Sequence, residues 1–165
     1  MEEQLCWTVS LIEECIQRNE NRIFRAALGI MGQVADAEDI VQEAFLKLYQ
    51  KASVFESKEH ETAWLLRVTI NLCKSRLRSP WRKKTVPLLE SYPAEDARQQ
   101  ELVEAIQALN EKYRIVIHLY YYEGYSTKEI AEITEQKEGT VREQLTRARR
   151  LLKTFLQDEE GEEGL

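Results

Sequence analysis

Arg142, Glu143, Thr146, Arg149, Arg150 and Lys153 lie opposite an apolar stripe, Val141, Leu145, Ala148 and Leu152, spaced i, i+4, i+7 and i+11. Guanidinium and ammonium groups in such an array suit a polyanion. They hold phosphates, while arginine and threonine can also pair with base edges in a groove. A second set, Arg67, Asn71, Lys74 and Arg78, repeats at the same spacing, and an asparagine amide among cations again suits bases lying between phosphates. Solvated basic faces on ordinary helices share both patterns, so the residues alone leave that reading open. A third set is acidic. Asp39, Gln42 and Glu43 flank the apolar positions Ile40, Val41, Ala44, Phe45 and Leu48. On physics alone they form a solvated first turn, with a partner surface as the other reading. Catalytic chemistry is not indicated: His60 and His118 are isolated, no glycine-rich phosphate loop occurs, and no nucleophile stands in a catalytic setting. No enzyme, cofactor or metal is expected. Cys6, Cys15 and Cys73, without Cys-x-x-Cys spacing, read as small buried apolar residues rather than redox sensors.

The elements that must carry these sets are helices. Ser126 with Glu129 three residues later is a capping box, opening a short helix with the stripe Ile130, Ala131 and Ile133. A tight turn and the basic helix follow, so residues 125–155 read as a helix-turn-helix, or as a helical hairpin with a charged outer face. Thr62 is the expected N-cap of a helix over 63–78, after a polar loop at 53–62. The acidic set begins a helix at Asp36. Before it, Leu11 to Ile16 and Ile23 to Leu28 form two short stripes interrupted near Asn19 and Asn21, with Gly29 and Gly32 at the end. Pro80, Pro87 and Pro93 preclude a continuous helix between Ser79 and Ala94, which reads as a linker able to extend roughly 65 Å. Helix resumes near Ala97, a further helix is capped by Asn110, and Gly124 ends it. Tyr113, Tyr120, Tyr121, Tyr122 and Tyr125 read as core and hinge packing ahead of a base-stacking platform.

The 165 residues bound one compact domain or two small ones, expected at 1–78 and 97–157, joined by a linker at 79–96 and followed by a disordered acidic tail at 158–165. Net charge is −6, but its distribution is uneven. Arg67, Lys74, Arg76, Arg78, Arg82, Lys83 and Lys84 occur with no acid among them, while acids gather at 36–43 and in the tail. Such a chain would bind duplex DNA weakly by itself and better with a partner. No run of about 18 apolar residues is present, so no membrane insertion is expected. The start MEEQLCW lacks the features of a secretory signal, and a cytoplasmic protein is expected.

Two helical domains, a proline-marked linker and a terminal helix-turn-helix resemble a bacterial sigma factor of the extracytoplasmic-function type, the small two-domain branch of the sigma-70 family. Three stretches carry the likeness: DAEDIVQEAFLKLY at 36–49, AWLLRVTINLCKSRLR at 63–78, and ALNEKYRIVIHLYYYEGYSTKEIAEI with EGTVREQLTRARRLL at 108–152. The resemblance implies an all-α fold and a subunit that binds core RNA polymerase and directs promoter-specific initiation. It implies that Asp39, Gln42 and Glu43 meet the β′ clamp helices. Arg67, Asn71, Lys74, Arg76 and Arg78, with the loop at 55–62, would recognise the −10 element and capture an unstacked base. Thr140, Arg142, Glu143 and Thr146 would read the −35 element, with Arg147, Arg149 and Arg150 nearer the phosphates and the β flap behind. An anti-sigma partner is implied as well. The chain departs from the family's common pattern in having Ile70 before Asn71, Ser75 in place of an acid, Thr134-Glu135-Gln136-Lys137 in place of Leu-Gly-Ile-Pro at the turn, and Arg142-Glu143-Gln144 in place of Lys-Ser-Arg. A stand-alone repressor or activator, and a protein-binding module with vestigial DNA faces, are the competing readings.

Overall fold

The computed structural model describes residues 8–51, 54–79 and 97–163, and all regular structure among them is helical. Helix α1 (Val9–Met31) opens on Thr8, whose hydroxyl accepts from Leu11 N at 3.3 Å. It closes on Gly32 at φ 80°, where the backbone N–H returns to Leu28 O at 2.8 Å. A left-handed C-terminal residue of this kind is where glycine costs least. The interruption expected near Asn19 and Asn21 is not there. Asn19 is buried, and its amide donates to Cys15 O at 2.9 Å and to Glu61 Oε2 at 2.8 Å, while its oxygen accepts from Thr62 Oγ1 at 2.8 Å. A side chain that bonds its own helix and a neighbouring one need not compete with the helical backbone.

Helix α2 (Val34–Tyr49) begins two residues before the expected Asp36 and buries Ile40, Val41, Ala44 and Leu48. Helix α3 (Lys58–Arg78) begins earlier than expected. Ser57, not Thr62, is its N-cap, accepting from His60 N at 3.0 Å, and Thr62 is buried against α1. The sequence offers two hydroxyls, and the one that leaves Glu61 inside the helix is used. α1, α2 and α3 pack on each other around Ile23, Leu48 and Leu65, all fully buried.

Helix α4 (Ala97–Ala108) leads to α5 (Glu111–Ile117), whose N-cap is Asn110 as expected. A π-helical turn, His118–Tyr122, and Gly124 at φ 74° then redirect the chain into α6 (Thr127–Thr134) and α7 (Glu138–Glu163). The helix continues to Glu163, where disorder was expected from 158. Its run of glutamates favours continuation, and Gly161 alone does not stop it. The expected linker, apart from Ser79, and Cys6 lie outside the described residues.

The two halves share one core. Ala27, Ile30 and Met31 of α1 and Leu66 and Ile70 of α3 join Ile106, Ile115, Leu119, Ile130 and Leu145 in a continuous apolar cluster. The last carbonyls of α1, which have no partner within the helix, are met from the other half. Gln107 Nε2 donates to Gly29 O at 2.9 Å and Arg114 Nε to Ile30 O at 3.0 Å. Arg22 and Glu123 add an ion pair at 3.2 Å across the same seam.

Candidate nucleic-acid interface

The helix-turn-helix is built from local signals. Ser126 Oγ accepts from Glu129 N at 3.1 Å and Glu129 Oε1 accepts from Ser126 N at 3.1 Å, so the capping box is complete. Ile130, Ala131 and Ile133 are buried, and α7 meets them with Val141, Leu145 and Ala148. Between the helices Glu135 takes φ 55°, ψ 43° with its N–H returned to Ala131 O. The geometry usually given to glycine is therefore kept without one, at the steric cost of a left-handed side-chain-bearing residue. In place of an apolar plug the turn has a polar interlock. Gln136 Nε2 donates to Thr134 Oγ1 at 2.9 Å, and Gln144 Nε2 donates to Gln136 Oε1 at 2.8 Å. The unusual turn and the unusual recognition-helix residue thus bond each other. Glu135→Gly is expected to raise stability by about 0.5–1 kcal/mol, since only the mostly exposed 3.8 Å pair with Arg67 is lost. Thermal unfolding checks it, with a rise of about 1–4 °C in Tm expected.

The outer face of α7 carries two rows. Arg142, Thr146, Arg149 and Lys153 form one, Glu143, Arg147 and Arg150 the other, all exposed. Glu138 ties the helix start to α6 by accepting from Thr127 Oγ1 at 3.0 Å, and it also accepts from Arg142 Nη2 at 2.7 Å. Arg142 is thereby oriented in the second turn of α7. Arg147 pairs with Glu143 at 2.7 Å. Arg149 donates from Nε to Tyr121 Oη at 2.6 Å and lies over the Tyr120 and Tyr121 rings. That hydrogen bond pushes the Arg149 pKa further up. Thr140 is exposed in the first turn. Tyr113 is buried and Tyr120 and Tyr125 half-buried, whereas Tyr121 and Tyr122 are exposed, so only part of the tyrosine set packs a core.

The second basic set is divided by the fold. Asn71, Lys74 and Arg78 run along one side of α3. Arg67 begins that row but is engaged by the other half: Nη2 donates to Glu132 O at 2.7 Å and Nε to Ile133 O at 3.3 Å, with Glu135 at 3.8 Å. Arg76 is not on this face. Nine residues after Arg67 it stands about 180° round the helix and reaches α2, with Asp39 Oδ2 at 3.2 Å, Glu43 Oε1 at 3.1 Å and Asp36 Oδ1 at 3.9 Å. Helical angle was the signal that separates it from its neighbours. Asp39, Gln42 and Glu43 are exposed together on α2.

At the start of α3, Phe55 of the preceding loop joins two residues of the helix in an aromatic cluster that spacing alone does not disclose. Phe55 meets His60 and Trp64 with centroids at 5.5 Å in each pair, and Lys51 Nζ lies 4.7 Å above the Phe55 ring. Beside it is a hollow of about 280 Å³ bounded by Arg18, Val54, Phe55, Ser57, Lys58 and Glu61. Stacking rings next to cations are what unstacked bases bind.

Below this loop lies a buried polar knot. Glu61 accepts from Arg18 Nη2 at 2.7 Å, Arg18 Nε at 3.1 Å and Asn19 at 2.8 Å. Burial raises the Glu61 carboxyl, but the hydrogen bonds from Arg18, Asn19 and Cys15 together outweigh it and hold the group below its ordinary value. Burial and then Glu61 push the Cys15 thiol up to about 12, which leaves it an unreactive apolar filler. Cys73 is buried too.

Such an arrangement defines a helical, two-part protein with a helix-turn-helix and two separate basic faces. Residues 15–83 match the family description Sigma-70 region 2, and residues 99–152 match Sigma-70, region 4. Over 162 residues the chain is 30% identical to the ECF RNA polymerase sigma factor SigW of Bacillus subtilis, covering 84% of this chain and 85% of SigW. Over 157 residues it is 29% identical to the ECF RNA polymerase sigma factor SigE of Mycolicibacterium smegmatis, covering 87% of this chain and 61% of that longer relative. The fold matches the sigma factor RpoE of Bartonella quintana, solved in complex with the anti-sigma factor NepR, with a TM-score of 0.76 at 24% identity over 90% of this chain and 98% of RpoE. The chain belongs to the extracytoplasmic-function group of the sigma-70 family.

Proposed function

We propose that this chain binds core RNA polymerase and directs it to promoters, reading a −35 element with α7 and a −10 element with α3 and the loop before it. The observation that carries this reading is the presence in one chain of two basic faces on different halves. A helix-turn-helix regulator needs only α7; it has no use for Asn71, Lys74 and Arg78 on α3, nor for the Phe55, His60 and Trp64 cluster beside them. One groove-reading helix supplies a small interface, and each good base pairing contributes only about 1–3 kcal/mol of discrimination. Two such readers on one chain reinforce each other through effective concentration, and polymerase fixes their spacing. Asp39, Gln42 and Glu43 supply the polymerase-binding face. The role is regulatory, and no reaction is asked of the chain.

Reading two separated elements requires the halves to part. Arg67 must leave the carbonyls of Glu132 and Ile133 before it can hold a phosphate, and the Arg22–Glu123, Gln107–Gly29 and Arg114–Ile30 contacts exchange for contacts to polymerase and DNA. A protein partner that restrains the closed or half-open chain, an anti-sigma factor, fits this picture. No helix among the described residues is long and apolar enough to cross a membrane, and the proposed site of action is the cytoplasm.

Run-off transcription with purified core enzyme tests the proposal, using promoters of transcripts that rise when the chain is overexpressed. Start-site-specific product that depends on the chain is expected. Protection of duplex DNA by the chain alone, without transcript from added core enzyme, would favour the stand-alone regulator. In a pull-down, Asp39→Ala with Glu43→Ala is expected to weaken capture of core polymerase at least tenfold, and wild-type capture would count against the polymerase-binding face.

A further inference from the structure

Arg76 sits where the chain's acidic face would otherwise repel itself. Asp36, Asp39 and Glu43 occupy successive turns of one side of α2, and like charges at this spacing disfavour each other. The Arg76 guanidinium comes across from α3 and uses both terminal nitrogens, Nη1 toward Asp39 and Asp36 and Nη2 toward Glu43. Arg76 and Asp36 are the more enclosed members of the set, each with 27% of its side chain exposed, against 62% for Asp39 and 47% for Glu43. Each of its two hydrogen bonds takes one carboxylate oxygen, Asp39 Oδ2 and Glu43 Oε1. A carboxylate can accept at either oxygen, so Asp39 Oδ1 and Glu43 Oε2 can still receive a partner's cation.

We propose that Arg76 is a positioning residue for the polymerase-binding face, fixing Asp39 and Glu43 in the chain before polymerase arrives, and is not a −10 DNA ligand. The proposal rests on the reading of α2 as that face. Side chains held in their bound conformation need not be ordered on association, which is the gain from preorganisation. A fork of two nitrogens on a rigid plane can serve two carboxylates at once, whereas a lysine supplies one point charge.

The test measures the affinity of the full chain for purified core RNA polymerase by competition with a fluorescently labelled wild-type chain. Arg76→Gln is expected to weaken binding about 5- to 10-fold, and Arg76→Lys to recover part of that loss. In the Asp39→Ala, Glu43→Ala background the same Arg76→Gln change is expected to have no further effect, an outcome that general loss of fold would not produce. At saturating core enzyme, Arg76→Gln holoenzyme should bind −10 fork-junction DNA as wild type does. Wild-type or tighter core binding by Arg76→Gln overturns the proposal, as does a loss that persists undiminished in the double-alanine background. Wild-type binding by the Asp39→Ala, Glu43→Ala chain itself would instead remove the α2 reading, and the proposal with it.

Discussion

Glu61→Ala is expected to lower stability by about 2–3 kcal/mol and Tm by roughly 5–10 °C. The carboxylate is 5% exposed and is the acceptor for three hydrogen bonds from Arg18 and Asn19. Its removal leaves the buried Asn19 amide with a lost partner and Arg18 without its counter-charge, the costly way to break such a pair. The figure is held below that of a fully enclosed pair because Arg18 keeps 38% of its side chain in solvent. The same knot sets a pH dependence on each side. Glu61 is held below the ordinary carboxylate value, so its contribution is present above that value and is lost as pH falls through the lower folded one. Cys15 moves the other way, from 9.0 to about 12, so its contribution is intact below 9.0 and is lost as pH rises toward 12. Denaturation of wild type and variant across pH checks both: Glu61→Ala should flatten the acid limb, and Cys15→Ala the alkaline one. An unchanged acid limb in Glu61→Ala would show that the carboxylate is not the group responsible.

This knot also shows where sequence reading ends. Local devices were legible because their partners are two to four residues apart: the Ser126–Glu129 capping box, the Asn110 cap, and the stripe Val141, Leu145 and Ala148. Glu61 was not. It sits in a polar stretch that reads as loop, and its partners lie 42 and 43 residues away on α1. Asn19 looked like a break for the same reason, since nothing within its own helix reveals the carboxylate it meets. The all-α architecture was legible, but the shared core was not. A proline-marked linker implies separable halves, and only the packing discloses that Ile30 of α1 and Ile130 of α6 belong to one cluster.

The candidate interface divides along similar lines. Its outer rows on α7 and α3 follow from helical spacing; the structure keeps the α7 rows exposed, and on α3 it exposes Asn71 and Arg78 and half-buries Lys74. Arg67 was grouped with the α3 row by helical spacing and Arg76 by resemblance, yet each is held elsewhere, Arg76 by α2 and Arg67 by α6. Their situations differ in consequence. The Arg67 contacts reach across a seam that has to open for the proposed function, so this residue can be handed from protein carbonyls to phosphates. The Arg76 contacts lie within one half and can persist throughout. The Gln136–Gln144 interlock makes a similar point about apparent departures: two residues that look anomalous singly hydrogen-bond each other across the turn.

Arg142→Ala combined with Arg150→Ala is expected to reduce −35-dependent transcription roughly 30-fold or more, and the single variants should fail in different ways. Arg142 lies in the second turn of α7, oriented by Glu138, at the helix end that a helix-turn-helix presents to base edges. Its loss should cost about 1–3 kcal/mol and relax preference at one position of the element. Arg150 lies two turns further on, exposed, where a recognition helix seated in a groove would pass the DNA backbone. Its loss should weaken all sequences alike and reduce the salt dependence of binding by about one counterion. Both changes are on the exposed side of α7, away from Val141, Leu145 and Ala148, so stability should hold within about 0.5 kcal/mol. Transcription from matched templates with the −35 element intact or scrambled separates the effects, because wild type and double variant should converge once the element is gone. Wild-type initiation by the double variant on the intact template would place the reading surface elsewhere on the helix-turn-helix. With Arg147 already paired to Glu143 and Arg149 held by Tyr121, few cations on α7 could then take over, and base recognition would have to rest on Thr140, Glu143 and Thr146.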